Sequence, residues 1–281
     1  METDVLIIGG GATGTGLARD LALRGLKCVL AEKFHINAGA TGANHGHLHS
    51  GARYVAKDRE TATECMKENL ILKRIAPQCV EAIGALCVAV QGDDENYVAD
   101  FPGLCRLSGI PVQEVSLEEA RRKEPCLSEK IIAAYATPDG AVDPFRLSCD
   151  NIQHAIGLGT TLLGNSEVVG FKRRNKKIQA VRLFDTVTGK QRVVQTKLVV
   201  NAAGAWAGEI AALLGIKINV VFSKGTLIVT HHRISQRLLL RLRPPSDGDS
   251  FLPAGTVSIF GTTSVAIDSP DDCYPSVAEV N

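Results

Sequence analysis

The sequence lacks several features that would place it in other classes of protein. Its 31 basic residues nearly balance its 30 acidic residues, and a net charge of +1 gives no reason to expect nucleic acid or an anionic membrane as partner. No window of about 18 apolar residues occurs, so we expect no membrane-spanning helix. The first residues show no basic segment followed by an apolar core, so we expect no secretory signal.

Cysteine is present, but never at the spacing of metal ligands. None of the eight cysteines forms a C-x-x-C pair, so the sequence does not support a zinc or iron–sulfur site. Because the cysteines are scattered through apolar stretches, we expect reduced, buried thiols in a cytoplasmic protein and no disulfide framework. A hydrophobic fraction of 45% is typical of a globular chain with one large or two modest domains.

The N-terminus has the pattern of a dinucleotide-binding βαβ unit. Residues 5–8 are an apolar run typical of a buried parallel strand, and residues 17–22 have the apolar spacing of a helix, which Gly25 ends. A second apolar strand is predicted over residues 27–31. This order of strand, glycine turn, helix and strand is that of a βαβ unit.

Between the first strand and the helix, Gly9, Gly11 and Gly14 form a G-x-G-x-x-G motif. Gly9 permits a tight turn, Gly11 lets the backbone approach a pyrophosphate, and Gly14 allows close packing of helix on strand. The N-terminus of the helix then offers free N–H groups and a partial positive charge to the phosphates.

Glu32 ends the second strand, 21 residues after Gly11, where a carboxylate can accept both ribose hydroxyls. No arginine follows it directly to meet a 2′-phosphate, which argues against NADP. A glycine turn without a ligand is the alternative, and the full context of the motif disfavours it. This unit alone does not distinguish NAD from FAD.

Further along the chain, the pattern predicts a functional loop entering a helix over residues 35–51. A capping box of Ser116 with Glu119 starts a short helix. The polar run RRNKK at 173–177 is more typical of a solvated hairpin tip than of a nucleic-acid patch. Helices are also predicted over residues 60–76, 143–156 and 206–214. Single strands are predicted over 84–90, 131–137, 220–229 and 257–261, and several strands are predicted within 161–200.

Longer motifs resemble FAD-dependent glycerol-3-phosphate dehydrogenases. TGANHGHLHSGARY (41–54) resembles their flavin-contacting segment, and VVNAAGAWA (199–207) resembles the second FAD-contacting motif of the D-amino-acid-oxidase-like superfamily. PDGAVDPFRL, SKGTLIV, RPPSDGD and SIFGTTS are also similar to that family. The resemblance extends over about residues 3–268 and is greatest to the anaerobic, membrane-associated branch of the family.

The fold that this resemblance implies is α/β, or α+β overall. A glutathione-reductase-like FAD/NAD(P)-binding Rossmann domain (residues 1–80 and 143–215) would be interleaved with a substrate domain that contains an antiparallel sheet (81–142 and 216–281). Members of the family continue well past this point. We therefore expect a C-terminally truncated chain with weak or absent turnover on its own.

FAD is the cofactor that the resemblance implies. Ala203 and Gly204 are small, as needed where a strand end lies against a cofactor, and Val168 is where the superfamily places a backbone contact to the adenine. The predicted FAD contacts are Gly9, Gly11, Ala12, Thr13, Gly14, Glu32, Thr41, Gly42, Asn44, His45, Gly46, Leu48, Val168, Ala203, Gly204 and Trp206.

The implied reaction is the oxidation of sn-glycerol 3-phosphate to dihydroxyacetone phosphate, with a hydride passing from C2 to flavin N5. His49 is the predicted base; the alternative is a histidine that only bonds the cofactor or a backbone carbonyl. Arg53, four residues on and so on the same helical face, is predicted to bind the phosphate, with a surface salt bridge as the alternative. Lys224 is a further candidate contact in the substrate domain.

A metal site at His45, His47 and His49 is the competing interpretation of this segment. No carboxylate or cysteine stands nearby in the sequence to complete a coordination set, and the flavin motif explains the segment better, so we expect no metal. His47 and Ala43 depart from the family, in which an apolar residue and an arginine are usual at these positions.

The family passes its electrons to quinone through partner subunits. The resemblance therefore implies a hetero-oligomer that is peripheral on the cytoplasmic face of the inner membrane, with no nucleic-acid partner. Two alternatives stay open from the sequence. One is a non-catalytic flavin-binding fragment, and the other is an FAD oxidase of another anionic hydroxy acid or an amine.

Overall fold

The computed structural model describes residues 1–280. The strands, numbered in chain order, are β1 (Glu2–Ile8), β2 (Cys28–Ala31), β3 (His47–Leu48), β4 (Val80–Glu81), β5 (Ala85–Val90), β6 (Gln113–Glu114), β7 (Ile131–Thr137), β8 (Gly140–Val142), β9 (Thr161–Leu163), β10 (Ser166–Arg174), β11 (Lys177–Asp185), β12 (Gln191–Asn201), β13 (Phe222–Lys224), β14 (Leu227–Val229), β15 (Leu238–Arg241), β16 (Ser250–Ala254), β17 (Val257–Gly261) and β18 (Val265–Ile267).

The α-helices, numbered in the same way, are α1 (Ala12–Leu23), α2 (Arg59–Ile75), α3 (Glu95–Leu107), α4 (Leu117–Lys123), α5 (Pro144–Gly157), α6 (Ala207–Ala212) and α7 (Val277–Val280). Short 3₁₀ helices span Ala40–Gly42, Ala52–Tyr54, Pro77–Cys79 and Gly204–Trp206.

By their internal contacts, the residues form two compact units, each built from three alternating segments of the chain. Unit 1 comprises Met1–Asn44, Pro144–Phe222 and Ile267–Asp271; unit 2 comprises His45–Asp143, Ser223–Ala266 and Asp272–Asn281. This alternation agrees with the predicted interleaved fold. The predicted functional division, with its first boundary after residue 80, stays a prediction.

Unit 1 is built on a six-stranded sheet with the order β10-β11-β12-β1-β2-β9. Strands β12, β1, β2 and β9 run parallel, whereas β10, β11 and β12 pair antiparallel. Strand β12 brings residues 199–201 beside residues 6–8 of β1. The start of the second resembling motif therefore lies next to the glycine turn, as the resemblance implies.

Both faces of β1 are buried. Val5 and Ile7 pack with α1 and α5 on one face, while Leu6 and Ile8 pack in a second cluster that includes Val181 of β11. Leu6 and Ile7 have no exposed surface. Burial of both faces explains why this strand is an unbroken apolar run, as expected for the centre of a parallel sheet.

Unit 2 contains a seven-stranded sheet with the order β14-β17-β16-β15-β5-β7-β6. Its pairings are antiparallel except for β15 with β5. The sequence predicted this antiparallel sheet. Residues 45–49 contain three histidines and are called the histidine segment. A smaller sheet, β3-β8-β4, includes His47 and Leu48 of this segment.

Helices cover both faces of the large sheet. Met66 of α2 and Phe101 of α3 pack with Leu238 and Leu240 on one face. Ala120 of α4 packs on the opposite face with Leu86. The capping box predicted for α4 is present, because the Ser116 side chain accepts from the backbone N–H of Glu119.

The structure corrects several local predictions. The loop predicted over residues 35–51 does not lead directly into an α-helix; 3₁₀ helices at Ala40–Gly42 and Ala52–Tyr54 lie on either side of the short strand β3. The strand predicted over residues 220–229 is interrupted at Gly225, where an added Cβ would lie 2.8 Å from the Thr262 hydroxyl. Within residues 1–280 no cysteine forms a disulfide, but Cys126, Cys149 and Cys273 are exposed, so the expectation of buried thiols fails for these three.

No helix within residues 1–280 combines the length and the apolar character needed to cross a membrane.

Candidate active site

The glycine turn of unit 1 is packed too tightly for side chains. Gly9 has φ +109°, and an added Cβ there would lie 2.4 Å from the Ala202 carbonyl oxygen at the end of β12. A Cβ at Gly14 would lie 1.9 Å from the Gly9 carbonyl oxygen. At Gly11 it would meet the Thr41 hydroxyl at 2.9 Å. The backbone of all three glycines is thus closely approached by neighbouring groups, as the motif requires.

The N-terminus of α1 is open to an anion. Its N-cap, Gly11, has no side chain that could bind the first N–H groups, and Ala12 and Thr13 are exposed. The Thr41 hydroxyl accepts from the Ala12 N–H at 3.0 Å. A helix N-terminus with exposed N–H groups and a positive dipole end is a binding site for phosphate.

Glu32 links the end of β2 to the glycine turn. Its carboxylate accepts from the Gly10 N–H at 2.6 Å and from the Phe34 N–H at 2.9 Å. A carboxylate has about four acceptor positions, so two remain for ribose hydroxyls. The geometry therefore leaves Glu32 able to perform its predicted role.

The second motif supplies small residues at the end of β12. Gly204 adopts φ +55°, which favours glycine, directly after Ala203. Trp206 packs over Gly39, where an added Cβ would lie 3.1 Å from its ring, and donates to Asp271 at 3.0 Å. These contacts fix the loop that follows the strand.

Other predicted FAD contacts in unit 1 lie nearby in the chain or in the sheet. Gly42 is pressed against Asn37, whose carbonyl oxygen would lie 2.3 Å from an added Cβ. The Asn44 side chain donates to the Thr41 carbonyl at 2.7 Å. Val168 is buried on β10 opposite Leu183.

The histidine segment, residues 45–49, belongs to unit 2. His47 donates from Nε2 to Asp139 at 2.9 Å, and the His47 and His49 rings stack with centroids 3.7 Å apart. Gly46 has φ +76°, and Leu48 is buried. Asp139 is 92 residues from His47 in the chain. The expectation that no nearby carboxylate completes a coordination set is therefore wrong, because the fold brings Asp139 to His47 and His49.

Ligand atoms of His47, His49 and Asp139 lie within 4.8 Å of one another, which a metal ion could use. The His47 Nε2 and Asp139 are already bonded to each other, however, and Asp139 accepts further hydrogen bonds. The absence of a metal remains a prediction.

Burial keeps two histidines of this segment uncharged. Burial, with the charges of His47 and Arg53, lowers the pKa of His45 to about 4. Burial and His47 lower the pKa of His49 to about 3, although Asp139 acts in the opposite direction. Both rings are therefore neutral at pH 7, and a neutral imidazole can accept a proton.

His49 and Arg53 line the same pocket, which has a volume of about 350 Å³. The His49–Arg53 spacing is not helical, because His49 follows β3 and Arg53 lies in a 3₁₀ turn. The helical argument for their proximity was thus wrong, although the pocket includes both. The lining residues are His45, His49, Arg53, Tyr54, Pro245, Ser246, Asp247, Ser250, Gly261, Thr262 and Ser264.

Two arginines share one buried carboxylate beside this pocket. Arg243 contacts Asp249 at 2.7 Å, and Arg53 contacts its other oxygen at 3.6 Å. These three side chains together carry one positive charge, and guanidinium groups suit an anionic ligand. Asp247, which lines the pocket and accepts from the Ser264 N–H at 3.0 Å, brings the formal charge of the four side chains to zero. Arg243 is not among the site residues predicted from the sequence, although the RPPSDGD motif contains it.

Lys224 is not among the residues that line this pocket. Its ammonium donates to the Tyr274 carbonyl at 2.5 Å and lies 3.4 Å from the Glu279 carboxylate. The structure therefore does not bring Lys224 together with His49 and Arg53 in this pocket.

Comparison with known proteins decides the family. Residues 4–281 match the family described as FAD dependent oxidoreductase (DAO). The chain belongs to this FAD-dependent oxidoreductase family. FAD, the predicted cofactor, is the cofactor of the family, and the glycine turn and open helix N-terminus of unit 1 fit its diphosphate.

Among family members, one subunit of the anaerobic glycerol-3-phosphate dehydrogenase of Escherichia coli K12 is 45% identical over 267 residues. The match covers 95% of this chain and 49% of that protein, and the chain spans about half the length of the curated relatives it matches. The corresponding subunit from Haemophilus influenzae is 42% identical over 283 residues, covering 100% of this chain and 50% of that protein. The resemblance found in the sequence is thus confirmed.

Two solved structures superpose closely on this chain. Glycine oxidase from Geobacillus kaustophilus has a TM-score of 0.82 at 22% identity, covering 99% of this chain and 75% of that one. FAD-bound L-alpha-glycerophosphate oxidase from Mycoplasma pneumoniae has a TM-score of 0.82 at 20% identity, covering 99% and 76%. At this identity, the likeness shows the fold alone.

Proposed function

We propose that this chain is the FAD-binding and substrate-oxidising part of a glycerol-3-phosphate dehydrogenase. The reaction is the oxidation of sn-glycerol 3-phosphate to dihydroxyacetone phosphate. The observation that carries the proposal is the pocket of unit 2, which includes a neutral imidazole, His49, and a guanidinium, Arg53. The identity of 45% to an enzyme named for this substrate supports it.

Arg53 binds the phosphate of the substrate. Its side chain is a quarter exposed, and its contact with Asp249 at 3.6 Å is longer than a strong ion pair, so it has donors to spare. Arg243 neutralises Asp249 at 2.7 Å, and Arg53 donates one hydrogen bond to the Ser246 carbonyl at 3.2 Å, so its other N–H groups can bind the ligand.

His49 accepts the proton of the C2 hydroxyl. Because burial holds its pKa at about 3, the free ring is always neutral at physiological pH but is a weak base. A phosphate dianion bound at Arg53 raises the pKa of His49, since a nearby negative charge favours the protonated form. Substrate binding thus strengthens the base.

In unit 1, the glycine turn and the N-terminus of α1 hold the diphosphate of FAD, and Glu32 holds the ribose. FAD, when bound, supplies the two-electron oxidant that takes the C2 hydride. The same proposal includes the other FAD contacts predicted from the motifs. These are Thr41, Gly42, Asn44, His45, Gly46, Leu48, Val168, Ala203, Gly204 and Trp206. Lys224 stays a proposed substrate-domain contact, outside the pocket described above.

The Escherichia coli relative is named as one subunit of its enzyme, which supports a hetero-oligomer. We extend the proposal to partner subunits that pass electrons to quinone. Attachment to the cytoplasmic face of the inner membrane would then come from those partners.

The test is a single-turnover reduction. The chain is reconstituted with FAD and titrated without oxygen with sn-glycerol 3-phosphate, glycerol, glycine and lactate, while the flavin absorbance is recorded. Even where steady-state turnover is weak or absent, we expect this single reduction to bleach the flavin with glycerol 3-phosphate, and we expect no bleaching with glycerol, which lacks the phosphate. Bound flavin that no compound bleaches would indicate a non-catalytic flavin-binding fragment, and bleaching by glycine or lactate instead would indicate another oxidase.

Arg53→Gln identifies the phosphate contact. We expect it to raise the glycerol 3-phosphate concentration for half-maximal bleaching about 10- to 100-fold, because charge-assisted hydrogen bonds contribute about 1.5–3 kcal/mol. Arg174→Gln, at an exposed position on β10 in unit 1, is the matched control and should leave that concentration unchanged. Equal effects of the two variants would refute the role of Arg53.

A further inference from the structure

Asp139 is a fully buried carboxylate whose acceptor positions are all used. It accepts from His47 Nε2 at 2.9 Å, from the Ser50 N–H and hydroxyl at 2.9 and 2.7 Å, and from the Thr137 hydroxyl at 2.6 Å. Burial raises the pKa of Asp139, but the hydrogen bond and charge of His47, with those of Thr137 and Ser50, outweigh it and lower the pKa. An ionised carboxylate only accepts, so His47 carries a proton on Nε2.

The ring of His47 in turn contacts the ring of His49. Their planes are 26° apart with centroids at 3.7 Å, so the two imidazoles are stacked. The buried His49 Nδ1 has no hydrogen-bond partner within residues 1–280. That nitrogen therefore does not fix the orientation of the His49 ring, and the stacked His47 imidazole lies closer to it than the Tyr54 ring does.

The backbone of this segment is held from the other side. The buried Asn69 of α2 donates to the carbonyl oxygens of Leu48 and His49 at 3.1 and 3.2 Å. Asp139 meanwhile holds the Ser50 N–H. The backbone on both sides of the His49 side chain is thus held by hydrogen bonds, while His49 itself lines the pocket and stacks on His47.

We propose that Asp139 and His47 are positioning residues for His49: the buried carboxylate fixes the His47 imidazole, and that imidazole, stacked on His49, orients the proposed base against the pocket. This inference rests on the proposed function for the role of His49 as a base. The network itself is independent of it. His47 is also the position at which this sequence departs from the apolar residue usual in the resembling family.

The groups around His49 act on its protonation in opposite directions. His47, His45 and Arg53 lower the pKa of His49, and Asp139 raises it; the Tyr54 ring lies 5.4 Å away. Removing His47 therefore takes away the nearest opposing group but leaves the carboxylate. Protonation of His49 should become easier in that variant.

The experiment is an NMR titration of the full chain labelled with ¹⁵N-histidine, without FAD or substrate. Long-range ¹H–¹⁵N spectra of the seven histidines report the tautomer and titration of each ring, and His49→Gln assigns the His49 signals. We expect a proton on Nε2 of His47, a single tautomer for His49, and no titration of His49 down to pH 4.5.

In His47→Leu, which keeps an apolar side chain of similar size, we expect the pKa of His49 to rise by about one unit or more and its single tautomer to be lost. Thr137→Val is the matched control, because it removes another hydrogen bond to Asp139 without touching the ring stack. It should leave the His49 signals in place.

An unchanged His49 titration and tautomer in folded His47→Leu would overturn the inference. Circular dichroism establishes folding; if this variant does not fold, His47→Gln, which can still donate to Asp139 but has no ring, takes its place under the same criterion. Failure of glycerol 3-phosphate to bleach the flavin would defeat the proposed function without affecting this result, so the two failures are distinguishable.

Discussion

At the scale of single residues, backbone and not side chains forms the proposed site for the diphosphate of FAD. Gly14 lies in the first turn of α1, and its Cα faces the carbonyl oxygen of Gly9. Gly16 lies two residues further along the same helix, where an added Cβ would have its nearest contact, the Asn151 side chain, at 4.0 Å. Alanine at Gly14 therefore tests whether α1 must pack closely on the glycine turn, whereas alanine at Gly16 tests only the effect of glycine on helix stability.

Gly14→Ala should destabilise the chain by about 1–3 kcal/mol and abolish FAD binding, because the new methyl group would force α1 away from the glycine turn. Gly16→Ala should be neutral or stabilise by up to about 1 kcal/mol, since alanine favours a helix more than glycine does. Urea unfolding and the flavin retained after gel filtration measure both effects. Retention of FAD by Gly14→Ala would contradict the assignment.

The residues that the sequence predicted belong to one short stretch of chain, whereas the residue that it missed has a partner far away in the sequence. Gly9, Gly14 and Glu32 act within one local strand–helix–strand pattern, so spacing alone located them. Asp139 was missed because its partner His47 is 92 residues away, and no single-sequence pattern reports such a pair. Only the fold brings them together.

At the scale of elements, α3 shows how tertiary packing overrides propensity. Glu95–Leu107 contains Pro102, a poor residue for a helix interior, and the sequence predicted no helix here. The helix nevertheless forms, because Asp94 caps it and Phe101, only 2% exposed, packs in the core of unit 2. Burial of one face supplies the stability that its sequence lacks.

Phe101→Ala should therefore destabilise the protein by about 3–5 kcal/mol, the range for a large aromatic removed from a core. Leu107→Ala, at the end of the same helix with the residue 59% exposed, should change stability by less than about 0.5 kcal/mol. Chemical unfolding monitored by circular dichroism compares the two. Similar losses in both variants would indicate that α3 is not anchored through Phe101.

The segment from 35 to 51 shows an error of a different kind. The sequence predicts a loop that enters a helix here, but Gly46 and Gly51 adopt positive φ angles and turn the chain before α2 begins. These angles place His49 and Arg53 on one pocket without a helix. Composition identified the functional segment, whereas its path depended on backbone angles that the sequence alone does not specify.

At the scale of the whole molecule, the buried histidines make stability depend on pH. In the unfolded chain, His45 and His49 take up a proton near pH 6.5, whereas in the folded chain they do so only near pH 4 and pH 3. Between pH 6.5 and 4 the unfolded state therefore binds more protons. Acidification in this range should lower the free energy of unfolding by about 1.4 kcal/mol per pH unit for each of the two histidines.

His49→Gln should remove one of these contributions. The free energy of unfolding, measured in urea at pH 6.5, 5.5 and 4.5, should fall with acidification about 1.4 kcal/mol per pH unit less steeply in this variant than in the wild type. The slope is the readout, because the substitution also changes packing by an amount that does not depend on pH. His231→Gln, at an exposed position, should keep the wild-type slope. If the free energy of unfolding has the same slope against pH in His49→Gln and in the wild type, the His49 ring takes up its proton as easily in the folded chain as in the unfolded chain. His49 would then not be the buried neutral base that the proposed function requires.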